Sequence, residues 1–319
     1  MYEYDYKIAV IGGGTGLASI LRGLKKFPID ITAIVTVADD GSSSGSLREE
    51  FDIPPPGDIR NVLVALSEAE PLVNDLFQYR FEEGNGLAGH PTGNLLLAAM
   101  TKITGDFATA VANLSQVLNV RGRILPVCNQ ALCLCAEYED GCIVTGESNI
   151  PNGNKKIKRV YYEKTCPALD EAVKAVKEAD LVVLAPGSLY TSIIPNLLFP
   201  EMQDAVKQTK AKFVYCCNIM SQPGETTGFT VADHIKSLEE HVGFGFIDTV
   251  LVNDGAIKPD VVQKYIADNA NMIEIDHDIL NEMGIDVIQS RMVSYNDNNE
   301  VRHNSKKVAS MIFSILLDV

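Results

Sequence analysis

The sequence predicts a single α/β domain built on a Rossmann-like, doubly wound and mostly parallel sheet, with a small antiparallel β insertion. Three observations predict it. Short apolar, β-branched runs alternate with segments of helical period. Several of those runs end in polar, glycine-rich loops, as in sheets whose carboxyl edge binds a ligand. No repeat, low-complexity stretch or linker divides residues 1–319.

The elements follow in chain order. Residues 7–11 form an apolar strand running into Gly12-Gly13-Gly14-Thr15-Gly16, after which Leu17, Ile20, Leu21 and Leu24 give a helix one apolar face. Residues 31–37 have the content of a buried parallel strand and end in Ala38-Asp39-Asp40-Gly41-Ser42-Ser43-Ser44-Gly45-Ser46. Pro54-Pro55-Pro56-Gly57 is a rigid break, with Asp58 placed to cap a helix over residues 61–66. The loop Gly89-His90-Pro91-Thr92-Gly93-Asn94 feeds residues 95–100, apolar on all sides and read as a buried helix.

The middle changes character. Residues 123–127, 132–138, 142–145 and 157–162 read as short strands, with Asp140-Gly141 as a hairpin turn, so the antiparallel insertion covers about 123–165. Helical period returns at Leu169, Ala172, Val173 and Val176. Strands at 181–185, 213–217 and 249–252 end in Pro186-Gly187-Ser188, Asn218 and Asn253-Asp254-Gly255. The closing helix carries Val308, Met311, Ile312 and Ile315 on one face.

Composition narrows the function. A net charge of −15 argues against nucleic acid, which needs a broad basic face, but not against a small anion held by backbone N–H groups. No apolar run reaches the length of a membrane span. Met1–Asp5 lacks a basic signal-peptide region and runs straight into a strand, so a cytoplasmic location is expected. The seven cysteines form no Cys-x-x-Cys array, and read as small apolar residues. No nucleophile elbow is present, and His277 between two aspartates reads as a surface turn.

Candidate binding residues come from the loops. Gly12–Gly16 misses the dinucleotide fingerprint because Leu17 or Ser19 stands where its third glycine belongs, and it lacks a Walker lysine. It remains either a plain βα turn or a phosphate loop in which Gly13, Gly14 and the Thr15 hydroxyl face an anion at a helix N-terminus. Ser43 and Ser44 add donors. Asp39 and Asp40 could hold Mg²⁺ with phosphate completing its shell, meet a ribose, or serve as a cap and a solvated charge. Gly187 and Ser188 repeat the first loop in kind, and Asn218 ends a strand beside them. Asn94 reads as a ligand contact or a helix cap.

Taken together, these loops resemble the YvcK-type branch of the CofD-like family. The resemblance rests on Ile11–Leu17, Val37–Gly45, Pro56-Gly57-Asp58-Ile59-Arg60-Asn61, Gly89-His90 with Gly93-Asn94-Leu95, Thr145-Gly146-Glu147-Ser148 and Pro186–Ser192, and spans essentially the whole chain. It implies a cytoplasmic factor for cell shape and cell-wall supply under gluconeogenic growth, binding UDP-sugars such as UDP-N-acetylglucosamine and leaving room for a protein partner in cell-wall regulation and for a homo-oligomer. Tyr265 and Arg302 then read as UDP-sugar contacts, a Tyr ring suiting uracil and Arg a diphosphate. The family's Arg-His-Asp reads Arg302-His303-Asn304 here. The related 2-phospho-L-lactate transferases imply the alternative, a metal-dependent transferase with Asp39 and Asp40 in its acidic loop. NAD-like dinucleotides share the diphosphate and would suit the same cleft.

Overall fold

The computed structural model describes residues 6–68, 71–83 and 86–318, so Met1–Asp5 lies outside it. Strand β1 (Lys7–Gly12) is buried at every position after Lys7, and β2 (Asp30–Val35) pairs parallel to it. Helix α1 (Gly14–Leu24) crosses between them, burying Leu17, Ile20, Leu21 and Leu24 as the 3.6-residue period requires. Then come α2 (Ser42–Phe51), α3 (Gly57–Leu66), α4 (Pro71–Gln78), α5 (Thr92–Thr104) and α6 (Phe107–Val117). They return the chain to β3 (Arg123–Pro126), parallel to β2.

That last pairing corrects the sequence reading. Residues 123–127 are not part of the insertion. Ile124 is buried with the helix cores of α3 and α6, which draws β3 to the edge of the main sheet. A short strand carries the same alternation in either kind of sheet, so periodicity could not separate the two. The insertion proper is β4 (Leu134–Tyr138), β5 (Ile143–Thr145) and β6 (Ile157–Tyr162), antiparallel in the order β5-β4-β6.

The second half alternates α7 (Asp170–Lys177), β7 (Leu181–Leu184), α8 (Ile194–Leu197), α9 (Pro200–Gln208), β8 (Lys212–Cys216), α10 (Val231–Val242), β9 (Thr249–Asn253), α11 (Pro259–Ala267), α12 (His277–Glu282) and β10 (Asp286–Ser290). A hairpin, β11 (Val293–Tyr295) and β12 (Val301–His303), precedes α13 (Ser305–Leu317), which packs on α1. The main sheet runs β10-β9-β8-β7-β1-β2-β3, every pair parallel. This is the doubly wound order with a seventh strand added, and its switch point lies between β1 and β7.

Three further expectations need adjustment. Asp58 does not cap α3: it is the second helical residue, and its carboxylate turns back to accept the Gly14 N–H. Helix α5 is not buried all round, because Leu96 and Ile103 face outward. The buried face of α13 is Val308, Ala309, Ile312 and Leu316, with Met311 and Ile315 only half-buried. Among the described residues no single helix is long and apolar enough to cross a membrane.

Candidate functional site

The loops after β1, β7 and β8 meet at the switch point and floor a cleft of about 630 Å³. Their closeness is written in the glycines. A Cβ at Gly16 would overlap the Pro186 carbonyl, so the β1 and β7 loops touch only because that side chain is absent. Gly14 takes φ +62°, the left-handed conformation that glycine adopts without strain. Helix α1 starts there with no cap from Gly13; Asp58 takes the Gly14 N–H, and the first turn, Gly14–Gly16, lines the cleft.

The β7 loop is fixed by side chains. Asn218 accepts the Gly187 N–H at 3.0 Å and donates to the Gly187 carbonyl at 2.7 Å, clamping that peptide from both sides. The Ser188 hydroxyl donates to the Glu225 carboxylate and accepts from Thr191, through its N–H at 3.1 Å and its hydroxyl at 2.7 Å. Below them, the buried Asn196 amide donates to the Gly12 carbonyl at 3.2 Å, tying the β1 loop to residues 184 positions away.

The far end of the cleft comes from the C-terminal segments. Tyr265 lines it, and its hydroxyl accepts the Val301 N–H at 3.0 Å. Arg302 stands half exposed, paired with Glu300. His303 donates from Nε2 to the Cys217 carbonyl at 3.1 Å, and burial lowers its pKa to about 4, so the ring is neutral.

Of the residues singled out from sequence, Gly13, Gly14, Thr15, Gly187, Ser188, Asn218, Tyr265 and Arg302 all line this one cleft. Ser43, Ser44 and Asn94 are not in its walls. Ser43 and Asn94 belong to a second polar cluster, on the β2 side, around the buried Arg60, while Ser44 lies against Gly57. Arg60 donates to Asn94 Oδ1 at 3.0 Å, Asn94 donates to Ser43 at 3.0 Å, and Ser43 shares a 2.8 Å hydrogen bond with His90. Asn94 therefore caps nothing; its amide is turned inward.

Asp39 and Asp40 diverge. Asp39 accepts the Gly41 N–H at 3.0 Å, and Asp40 reaches the insertion, accepting the Ser148 N–H at 2.9 Å. Among the described residues no three His, Cys, Asp or Glu side chains converge on a metal position. The described side chains alone do not form a cage for Mg²⁺. An ion at Asp39 or Asp40 would take its other oxygens from phosphate and water.

The sequence reading missed two acidic groups in the cleft wall. Glu147, brought in by the insertion, has its carboxyl raised to about 7 by burial and by the charges of Asp39, Asp40 and Glu225, against a hydrogen bond from Thr191. Glu225 is raised by burial, partly offset by Ser188 and the Tyr190 N–H. Outside the cleft, burial and Asp39 push Asp58 up to about 7, with Gly14 and Arg60 opposing. Glu147 stands in the Thr145–Ser148 segment that carries the family resemblance, and Glu225 in the loop after β8. What buries them is contact with residues roughly 35 to 110 positions away in the chain, which no local pattern carries.

Comparison with known proteins supports the fold and gives the family. The family model for the 2-phospho-L-lactate transferase CofD matches residues 8–293. The gluconeogenesis factor of Bacillus subtilis is 55% identical over 312 residues, 97% of this chain and 98% of the relative. That of Listeria monocytogenes is 48% identical over 315 residues, 98% of this chain and 97% of the relative. A crystal structure of a UPF0052-family protein from Bacillus halodurans superposes with a TM-score of 0.94 at 53% identity, covering 97% of this chain and 99% of that one. The chain belongs to the CofD family, on its YvcK-type, gluconeogenesis-factor branch.

Proposed function

We propose that the chain binds a UDP-sugar, with UDP-N-acetylglucosamine the first candidate, and acts as a cytoplasmic regulatory factor in cell-wall precursor supply and cell shape during gluconeogenic growth. One observation carries the binding half: a single cleft joins the glycine loops at Gly13–Thr15 and Gly187–Ser188 to Tyr265 and Arg302. Its volume of about 630 Å³ suits a nucleotide sugar. Loop N–H groups and the α1 N-terminus take the diphosphate, Arg302 leaves Glu300 for it, and the Tyr265 ring packs on uracil. The sugar hydroxyls then reach the acidic end formed by Glu147 and Glu225. The relatives' name, gluconeogenesis factor, supports the link to gluconeogenic growth.

Calorimetry with UDP-N-acetylglucosamine, UDP-glucose, GDP and NAD tests the reading. The UDP-sugars should bind in the micromolar range, and Arg302→Ala should weaken them about tenfold or more, as loss of a charged hydrogen bond does. No heat of binding at millimolar UDP-sugar would overturn it.

A transferase is the second reading, favoured by the family model and by carboxyls near neutrality at Glu147 and Asp58, suited to proton transfer. It requires turnover of a nucleotide with an acceptor in a metal-supplemented assay. Its absence across nucleotide and phospho-acid pairs would remove it.

A further inference from the structure

A second cavity, of about 760 Å³, lies across the loop after β8 from the cleft, between the antiparallel insertion and α10. One wall is α10, on which Asp233, Lys236, Ser237 and Glu240 fall at i, i+3, i+4 and i+7 and so share a face. The opposite wall is the start of β6 and the turn before it, carrying Lys155, Lys156 and Lys158. Gly224 joins the loop to the insertion: it takes φ +80°, and a Cβ there would overlap the Pro151 carbonyl. The apolar lining is aromatic. Tyr190 is buried, its hydroxyl donating to Ser237 at 3.1 Å, and the half-buried Phe229 ring meets it edge-on with centroids 6.4 Å apart.

In a chain of net charge −15, four lysines line this one cavity. Lys155, Lys156 and Lys158 pair with Asp140, Glu139 and Glu137, but their ammonium ends are exposed, where such pairs are weak and give way to a stronger anion. Glu137 also holds Arg159, so it keeps a partner when Lys158 leaves. Lys236 has no ion-pair partner among the described residues.

We infer that this cavity is an effector site for a small phosphorylated sugar or polyol. Lysines are point charges suited to a phosphate group. Glu139, Asp233 and Glu240 line the same space, and would repel a ligand that is anionic throughout. A ligand with a phosphate at one end and hydroxyls at the other satisfies both sets, since carboxylates accept from hydroxyls. The Phe229 ring suits the C–H face of a sugar. The site also reaches the cleft, because Glu225 stands in both linings. Its carboxylate takes the Ser188 hydroxyl and the Tyr190 N–H, the latter at 3.4 Å. A ligand packed on Gly224–Phe229 steadies the wall that positions Ser188, and so tightens binding in the cleft. That coupling, though not the site, rests on the cleft binding a UDP-sugar.

Calorimetry on the full chain in phosphate-free buffer tests this with glucose 6-phosphate and fructose 6-phosphate, and with glucose and inorganic phosphate as their halves. A hexose phosphate should bind about tenfold or more tighter than inorganic phosphate, and glucose not measurably, because the two sets of contacts act together. Lys236→Ala, at an exposed position, should weaken that binding about tenfold without moving the melting curve or the affinity for UDP-N-acetylglucosamine measured alone. Arg302→Ala should leave hexose phosphate binding as it is. Saturating hexose phosphate should raise the affinity for UDP-N-acetylglucosamine about fivefold or more. The site is overturned if neither hexose phosphate binds, if inorganic phosphate binds as tightly, or if binding is lost in Arg302→Ala and kept in Lys236→Ala. An unshifted UDP-N-acetylglucosamine affinity in a chain that binds both ligands overturns the effector role. Hexose phosphate binding that depends on Lys236, in a chain that binds no UDP-sugar, supports the site and sinks the reading of the cleft instead.

Discussion

Replacing Asp58 by asparagine removes one ionisable group and should change the pH dependence of stability by an amount set by its surroundings. Burial, then the Asp39 carboxylate, lift Asp58 to about 7 in the folded chain from an ordinary 3.8. The folded state therefore holds this proton more tightly than the unfolded state, and its stabilising contribution, full below the unfolded pKa, is lost as pH rises through the folded one. Between about pH 5.5 and about pH 8.5 the linkage amounts to roughly 2 kcal/mol, or about 1–2 kcal/mol once water at its exposed edge screens the charge. The amide of the Asp58→Asn variant keeps an oxygen for the Gly14 N–H and does not titrate. Urea denaturation of both chains at the two pH values, above the isoelectric point of about 4.8, measures the effect. The variant should gain about 1–2 kcal/mol on the parent as pH rises. Other carboxyls such as Glu147 titrate in both proteins and cancel in the difference. Parallel stability profiles would refute the reasoning.

Two other substitutions test the loops themselves. Asn218→Ala removes both hydrogen bonds to the Gly187 peptide and should cost about 1–3 kcal/mol in chemical denaturation, with roughly tenfold weaker UDP-sugar binding. Gly16→Ala drives a methyl into the Pro186 carbonyl; a melting curve lowered by the equivalent of about 1–3 kcal/mol is expected, and an unchanged curve would mean the two loops do not touch.

The sheet was legible because its strands are buried on both faces and so read as continuous apolar runs: 7–11, 31–37, 181–185, 213–217 and 249–252 all fall on strands. Strand β10, half-buried at the edge with Asp286, Gln289 and Ser290 in it, offered no such run. β3 was found as a strand but assigned to the wrong sheet, since partner choice depends on which helices cover it. In the site, glycine and hydroxyl residues after strands gave the loops of β1 and β7. Asn94 and Asp58 had the residue types of caps and the positions of caps. Their side chains turn inward because Arg60 and the Gly14 N–H, which need partners, lie across the fold.

The bond between Asn196 and the Gly12 carbonyl has a consequence for synthesis. A ribosome releases β1 and its glycine loop early, yet the neighbour that holds the loop in place is 184 residues later. Asn218 and Arg302 follow later still. Until then the emerging chain has a glycine loop without its wall, and contacts of such sequence separation close slowly. On the proposed function, full ligand affinity would arrive only with the last tenth of the polypeptide, so tight binding would report a finished molecule and truncated products would bind weakly.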